Sequence, residues 1–260
     1  CRLSQQHRPC TSPRVFNSNC DTVTDASIAA IVETIKDLRY LNLSYCGKIT
    51  DDFLGNVGVE NLKLPPLEFL DLSGCHKISD AGLRRISETL QRTLRKLHMR
   101  WCFNVTDTGL AFVPDLKELR QLNLSGSGKI TDLGMKSVAQ LVHLEYLYLS
   151  YCGKVTDEGL ASVAQLPALQ HLHLYGKITD VGLVNIAALG AHSSQPKWVP
   201  ADYRLGPAPY AHLHLYGKIT DVGLVNIAAL GAHSSQPKWV PADYRLGPAP
   251  YAGVAQTATP

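Results

Sequence analysis

LRYLNLSYCGKITD, residues 38–51, recurs as LEFLDLSGCHKISD from Leu67, LRKLHMRWCFNVTD from Leu94, LRQLNLSGSGKITD from Leu119 and LEYLYLSYCGKVTD from Leu144. The starts lie 29, 27, 25 and 25 residues apart, and a shortened sixth copy begins 25 residues later at Leu169. A fixed period of this length marks a repeat architecture in which each unit buries its core against its neighbours. A half copy, NCDTVTDASIAAI around Cys20 to Ile31, keeps the second part of the pattern without a clean strand. The first residue is Cys rather than Met, and the array is expected to continue upstream of it.

The fourth and sixth residues of each copy, such as Leu41 and Leu43 or Leu147 and Leu149, are two apart and share one face of a strand. That face is predicted to turn inward. The following turn carries Ile49, Ile78, Val105, Ile130 or Val155, and then Thr-Asp or Ser-Asp, which are helix N-cap types with a carboxylate near the positive end of a helix dipole. AGLRRISETL from Ala81 and EGLASVAQL from Glu158 space their apolar residues three and four apart, as one buried helical stripe requires. One strand, one turn and one short helix cannot cover both apolar faces alone. The units must therefore stack into an α/β solenoid, a horseshoe arc with a parallel β-sheet on its concave face and short helices on its convex face.

Cysteine recurs at the ninth position as Cys46, Cys75, Cys102 and Cys152, with Ser127 in the fourth copy. Small buried side chains against backbone amides are expected there. The chain has seven cysteines, an odd number and too widely spread for a disulfide framework, and no C-x-x-C pair.

With L-x-x-L-x-L-x-x-C followed by I-T-D-x-G-L, the chain resembles the cysteine-containing class of leucine-rich repeats. That class includes the substrate-recognition parts of F-box ubiquitin-ligase subunits and free-standing repeat proteins of the mitotic-exit antagonist type. The resemblance covers roughly residues 20 to 190. It implies a module that recruits a protein, as the substrate-binding region of a ubiquitin-ligase receptor or as a stand-alone scaffold or regulatory protein. An adaptor contact would need an F-box upstream of Cys1.

Strand residues at the third, fifth, seventh and eighth positions point toward whatever is bound. The expected partner-binding residues are Tyr40, Asn42 and Tyr45 in the first unit, Phe69 and Asp71 in the second, and Lys96, His98, Arg100 and Trp101 in the third. Gln121 and Asn123 follow in the fourth, Tyr146, Tyr148 and Tyr151 in the fifth, and His171 and His173 in the sixth. Tyr, Trp and Arg are enriched among residues that carry interface energy, so a protein or peptide is the natural ligand. Tyr45, Trp101 and Tyr151 have a second reading as packing at the strand ends.

No catalytic set is found. His171 and His173 have a chelating spacing, but a third ligand is lacking, so no metal is expected. SGSGKIT at Ser125 resembles a phosphate loop but lacks its first glycine and is the fourth copy of CGKIT. H-E-x-x-H, G-x-S-x-G and G-x-G-x-x-G are absent, so neither an enzyme nor a cofactor is expected. A net charge of +3 on 260 residues does not point to nucleic acid or an anionic membrane. No run of about 18 apolar residues and no signal peptide occurs, and a cytoplasmic or nuclear location is expected.

Residues 171–211 recur without change as 212–252. Both copies read LHLYGKITD, two residues shorter than the parent motif, which predicts a shortened passage from strand to helix. Both also carry the Pro-rich QPKWVPADYRLGPAP, where irregular chain is expected, as a loop or as a terminal cap. The resulting division is a degenerate segment over 1–19, repeats over 20–191, a Pro-rich segment over 192–211, the duplicate over 212–252 and a disordered tail over 253–260.

Overall fold

Leu41, Leu70, Leu97, Leu122, Leu147 and Leu172 lie directly beside one another on six successive parallel strands and are completely buried. This row is the interior of the array expected from the repeat. The computed structural model describes residues 13–16, 18–20, 22–54, 65–184, 199–200 and 212–218. Its strands are β1 (Arg14–Phe16), β2 (Tyr40–Asn42), β3 (Phe69–Asp71), β4 (Lys96–His98), β5 (Gln121–Asn123), β6 (Tyr146–Ser150), β7 (His171–Thr179), β8 (Val199–Pro200) and β9 (His212–Lys218). They form one sheet in the order β1-β2-β3-β4-β5-β6-β7-β9-β8, every pair parallel.

Between strands the chain returns through α1 (Asp25–Thr34), α2 (Asp80–Leu90), α3 (Asp107–Leu110), α4 (Asp132–Val138) and α5 (Asp157–Val163). Two of these returns use 3-10 turns, Asp51–Leu54 in the first unit and Val113–Asp115 after α3. Pro114 sits in the second, where its missing N–H and the clash of its ring with the preceding turn oppose continuing α3. Helices are about 10 Å across whereas strands stack at about 4.8 Å, so the helical side of such a stack is the longer one and the sheet takes the inner, concave side. Among the described residues, no helix is long and apolar enough to cross a membrane.

Each rung seals its neighbour with the same apolar set. The leucine that opens each motif, the two inward strand residues (Leu97 and Met99 in the third unit, two leucines elsewhere), the ninth-position cysteine or Ser127 and the Ile or Val of the turn are all buried. The cysteine partners are carbonyl oxygens rather than the amides expected. The Sγ of Cys75 donates to the Leu43 oxygen at 3.1 Å, that of Cys102 to Leu72 at 3.3 Å, and that of Cys152 to Leu124 at 3.2 Å. A thiol reaches one rung back because C–S bonds are long and the sulfur accepts a loose geometry.

Ser127 occupies the same place with a shorter hydroxyl, which is buried without a partner. Replacing Ser127 with cysteine should therefore raise stability by about 1 kcal/mol, because a buried unpaired hydroxyl costs roughly 1–3 kcal/mol. Chemical denaturation of Ser127→Cys beside the parent would show a higher midpoint, and a lower one would mean that the hydroxyl is satisfied in solution.

The Thr-Asp or Ser-Asp pair caps its helix as expected, with the aspartate in the first turn. Ser79, Thr106, Thr131 and Thr156 are the N-caps, each accepting from the amide two residues on at 3.2–3.4 Å. The aspartate also spans to the next rung. Asp107 takes the Thr131 amide at 2.8 Å and its hydroxyl at 2.6 Å, and Asp132 takes the same two groups of Thr156, both at 2.7 Å. Asp25, Asp51, Asp80 and Asp157 do the same for Thr50, Ser79, Thr106 and Thr179. Six successive junctions are thus held by one charge-assisted clamp.

Two further features differ from the sequence reading. The half copy does have a strand, since Arg14–Phe16 pairs with Tyr40–Asn42 although its sequence lacks the leucine pattern. Within the Pro-rich segment, Val199–Pro200 pairs with β9, so that part is not irregular. Pro200 closes the sheet's outer side, where a missing donor matters least. The duplicate strand β9 lies in register on β7, His171 beside His212 and His173 beside His214. As the shortened motif predicts, β7 runs to Thr179 and a helix begins at residue 180, with a register shift between Tyr175 and Thr179 in place of the turn. The expected tail over 253–260 and the remainder of the Pro-rich segments lie outside the described residues.

Candidate protein-binding face

Because strand side chains alternate, burying the fourth and sixth residues turns the third, fifth and seventh to the open face. Every candidate from the first to the sixth unit does lie on this face or at its C-terminal rim. The third-position row runs Arg14, Tyr40, Phe69, Lys96, Gln121, Tyr146 and His171 across adjacent strands. Arg14 was not foreseen, for want of a recognisable strand. Its guanidinium lies 4.3 Å from the centre of the Tyr40 ring, a cation–π contact that extends the face by one rung.

Two clusters form on this surface. Tyr40 stacks on Phe69 at 5.9 Å, and Phe69 meets the His98 ring edge-on at 5.2 Å. His98 Nδ1 lies 3.7 Å from Asp71, and its Nε2 is 2.9 Å from the Gln121 amide nitrogen. Burial works against ionisation of Asp71, yet hydrogen bonds from His98 and Ser73 prevail and hold its carboxyl below the ordinary carboxylate value. In the second cluster Tyr146 stacks on His171 at 4.2 Å and Tyr148 on His173 at 4.5 Å. Burial, and then the neighbouring Tyr146, raises the Tyr148 phenol above its usual value. Tyr148 therefore stays neutral. Lys96 and Arg100 stand exposed between the clusters. The His171 and His173 rings thus lie nearly flat on Tyr146 and Tyr148.

At Asn42, Asp71 and Asn123 the fifth position departs from its expected role. Asn42, Asp71 and Asn123 each turn a side-chain oxygen back to the amide two residues on, at 2.9, 2.9 and 3.0 Å. This Asx-type bond satisfies an amide as the strand ends. Asn123 is buried and is removed from the set of accessible contacts. Asn42 and Asp71 remain half-buried, with part of their hydrogen-bonding capacity spent on the backbone.

The eighth-position aromatics resolve into both of their readings. Tyr45, Trp101 and Tyr151 have φ of 59°, 59° and 62°, and Gly74 and Gly126 occupy the same place between them at 73° and 82°. A Cβ on Gly74 would sit 2.5 Å from the Tyr45 ring, and one on Gly126 would sit 2.1 Å from that of Trp101. Each of these two rings therefore lies across the glycine of the next rung. Tyr45 and Tyr151 still keep about half of their surface open, at 49% and 55%. A left-handed backbone at a non-glycine residue costs on the order of 1–3 kcal/mol, which the stacking must offset.

Cys75, Cys102 and Cys152 are unsuited to chemistry. Burial, the largest influence, pushes the Cys75 thiol to about 12 and that of Cys152 to about 11, and raises Cys102 as well. The nucleophile and metal ligand is the thiolate, which these sites suppress. Among the described residues no group of three or more His, Cys, Asp or Glu is placed to hold a metal ion.

A family model described as Leucine Rich repeat matches residues 35–52, 63–87, 118–139 and 140–164. These segments are leucine-rich repeats. The matched stretches span the first, second, fourth and fifth copies, and the third rung joins them in register although it is not matched. A search of curated proteins finds no match. Among solved structures, the chain is similar to one in the crystal structure of the yeast Rad7 and Elc1 complex, at 20% identity and a TM-score of 0.56. That match covers 80% of this chain and 50% of the other, so the chain spans about half of its structural neighbour. An internalin (inlF) from Listeria monocytogenes is also found, at 17% identity and a TM-score of 0.37, covering 77% of this chain and 68% of that one. The fold is thus an α/β leucine-rich-repeat solenoid, with a parallel sheet on one side and short helices on the other.

Proposed function

We propose that the open sheet face binds a segment of a partner protein, and that the role is recognition without a chemical step. The observation that carries this reading is the pair of aromatic clusters flanking exposed Lys96 and Arg100 on a rigid parallel sheet. Stacked rings lose little side-chain freedom on binding, which is how such faces gain affinity. The structural neighbour belongs to a complex of two proteins, in keeping with a binding role.

We further propose that the bound protein is a substrate presented for ubiquitin transfer, with this array as the receptor's repeat region. Support comes from the C-x-x-I-T-D-x-G-L motif and its resemblance to F-box receptors. Affinity purification of the full-length protein should then recover a ligase adaptor together with the partner. Recovery of partners without any adaptor would favour a stand-alone scaffold.

For the binding face itself, Tyr148→Ala combined with Arg100→Ala should leave the circular dichroism spectrum unchanged. It should weaken partner binding by about 30-fold or more, equivalent to a hot-spot loss of about 2 kcal/mol. Titration calorimetry with the recovered partner checks this, and undiminished affinity would remove these two residues from the interface.

A further inference from the structure

The N-terminal and C-terminal ends of the strands differ in charge. At the N-terminal ends the second-position residues pair with opposite sign across rungs, Arg39 with Glu68 and Arg120 with Glu145. At the C-terminal ends the eleventh position reads Lys48, Lys77, Asn104, Lys129 and Lys154, and Lys177 is the corresponding ninth residue of the shortened copy, all exposed. None of these lysines has an acidic partner among the described residues, and Lys129 donates only to Asn104, at 3.2 Å. The motif aspartates Asp107 and Asp132 keep their charge but turn their oxygens into the clamps between rungs, and they form no ion pair with the row.

Along the same rim runs a connected strip of rings. His76 stacks on Phe103 at 5.4 Å, Phe103 meets Trp101 at 6.1 Å, Trp101 meets Tyr151 at 5.6 Å, and Tyr151 meets Tyr175 at 4.6 Å. Phe103, Tyr151 and Tyr175 are 46%, 55% and 46% exposed, which places three large aromatic surfaces in solvent on one edge. Adjacent rungs lie about 4.8 Å apart, so Lys129, Lys154 and Lys177 form a closely spaced row of like charge beside this strip.

We propose that this rim is a second interaction surface, distinct from the sheet face, which takes an extended acidic segment of a protein that also carries aromatic side chains. Charge complementarity selects the acidic residues, since no lysine of the row is held in an ion pair among the described residues. The ring strip selects the apolar component. A polypeptide is favoured over single-stranded nucleic acid because ring centres 4.6–6.1 Å apart are already in contact, leaving no slot into which successive bases could stack.

The experiment uses fluorescein-labelled poly(Glu,Tyr), poly-Glu and oligo(dT), titrated into the full chain with anisotropy as the readout. Poly(Glu,Tyr) should bind, poly-Glu more weakly, and oligo(dT) weakest. The double variant Lys129→Glu/Lys154→Glu should lower poly(Glu,Tyr) affinity by at least about tenfold. Trp101→Gly/Tyr151→Gly should lower it too, and these changes suit the backbone because glycine already occupies the same left-handed place in the second and fourth rungs. Tyr148→Ala/Arg100→Ala on the sheet face should leave poly(Glu,Tyr) binding unchanged, so failure here is distinguishable from failure of the sheet-face proposal. The inference is overturned if poly(Glu,Tyr) does not bind, if oligo(dT) binds as tightly, or if the sheet-face variant weakens binding as much as the rim variants.

Discussion

Leu149→Asp is expected to unfold the rungs on either side of β6, at a cost of about 4 kcal/mol or more. Leu149 is 1% exposed, and beside it on β7 lies Leu174, itself buried. Truncating a core leucine alone costs about 2–5 kcal/mol, and a carboxylate in that place must stay unpaired or take up a proton, either of which adds to the loss. Repeat arrays transmit such a loss mainly to nearest neighbours. Hydrogen exchange should therefore show lost amide protection over β5 to β7, with β2 and β3 less affected. Leu149→Met, which conserves volume, should keep protection in place. Retained protection in the aspartate variant would mean that β6 does not seal the interior.

Asp107→Ala is expected to cost about 3 kcal/mol, because hydrogen bonds to a charged group contribute roughly 1.5–3 kcal/mol each and this change strands the Thr131 amide. The clamp hypothesis has a sharper signature at Gly134. In an ordinary helix Gly→Ala stabilises by about 1 kcal/mol. Here a Cβ would stand 2.5 Å from the Asp107 carboxylate and 2.7 Å from Leu110, so Gly134→Ala should destabilise instead. In the Asp107→Ala background the carboxylate is gone and the penalty of Gly134→Ala should shrink. A double-mutant cycle by urea denaturation measures this coupling. Additive effects would show that the aspartate and the glycine do not share one site.

The clamp explains why T-D-x-G recurs at all. Its threonine caps its own helix, its aspartate reaches forward one rung, and its glycine leaves room for the aspartate of the rung before. The roles of the aspartate and the glycine are not visible within one copy, because their partners lie 22–28 residues apart. The same holds for the cysteines. Their burial follows from their place in the motif, while their bond to the preceding rung's carbonyl exists only once rungs are stacked.

The open sheet face was legible to a similar degree. Alternation along each strand was enough to place Tyr146, Tyr148, His171 and His173 outward. It could not show that Asn42, Asp71 and Asn123 spend a side-chain oxygen on their own backbone, because an outward position does not reveal what the side chain turns back to meet. Arg14 was missed because the three-residue strand around it carries no leucine signal. It is recruited by pairing with β2.

From its period of about 25 residues and its two-residue strand alternation, the sequence alone determined the stacked parallel architecture, the inward leucines and the register of the first six full or shortened rungs. Those features depend on which residues are apolar and how far apart they stand, and both are written along the chain. Only the tertiary structure decided the aspartate clamp, the thiol-to-carbonyl bonds, the extra strand at Arg14 and the rings laid across neighbouring glycines. Each of these is a contact between rungs, and a contact between rungs has no partner until folding brings distant copies side by side.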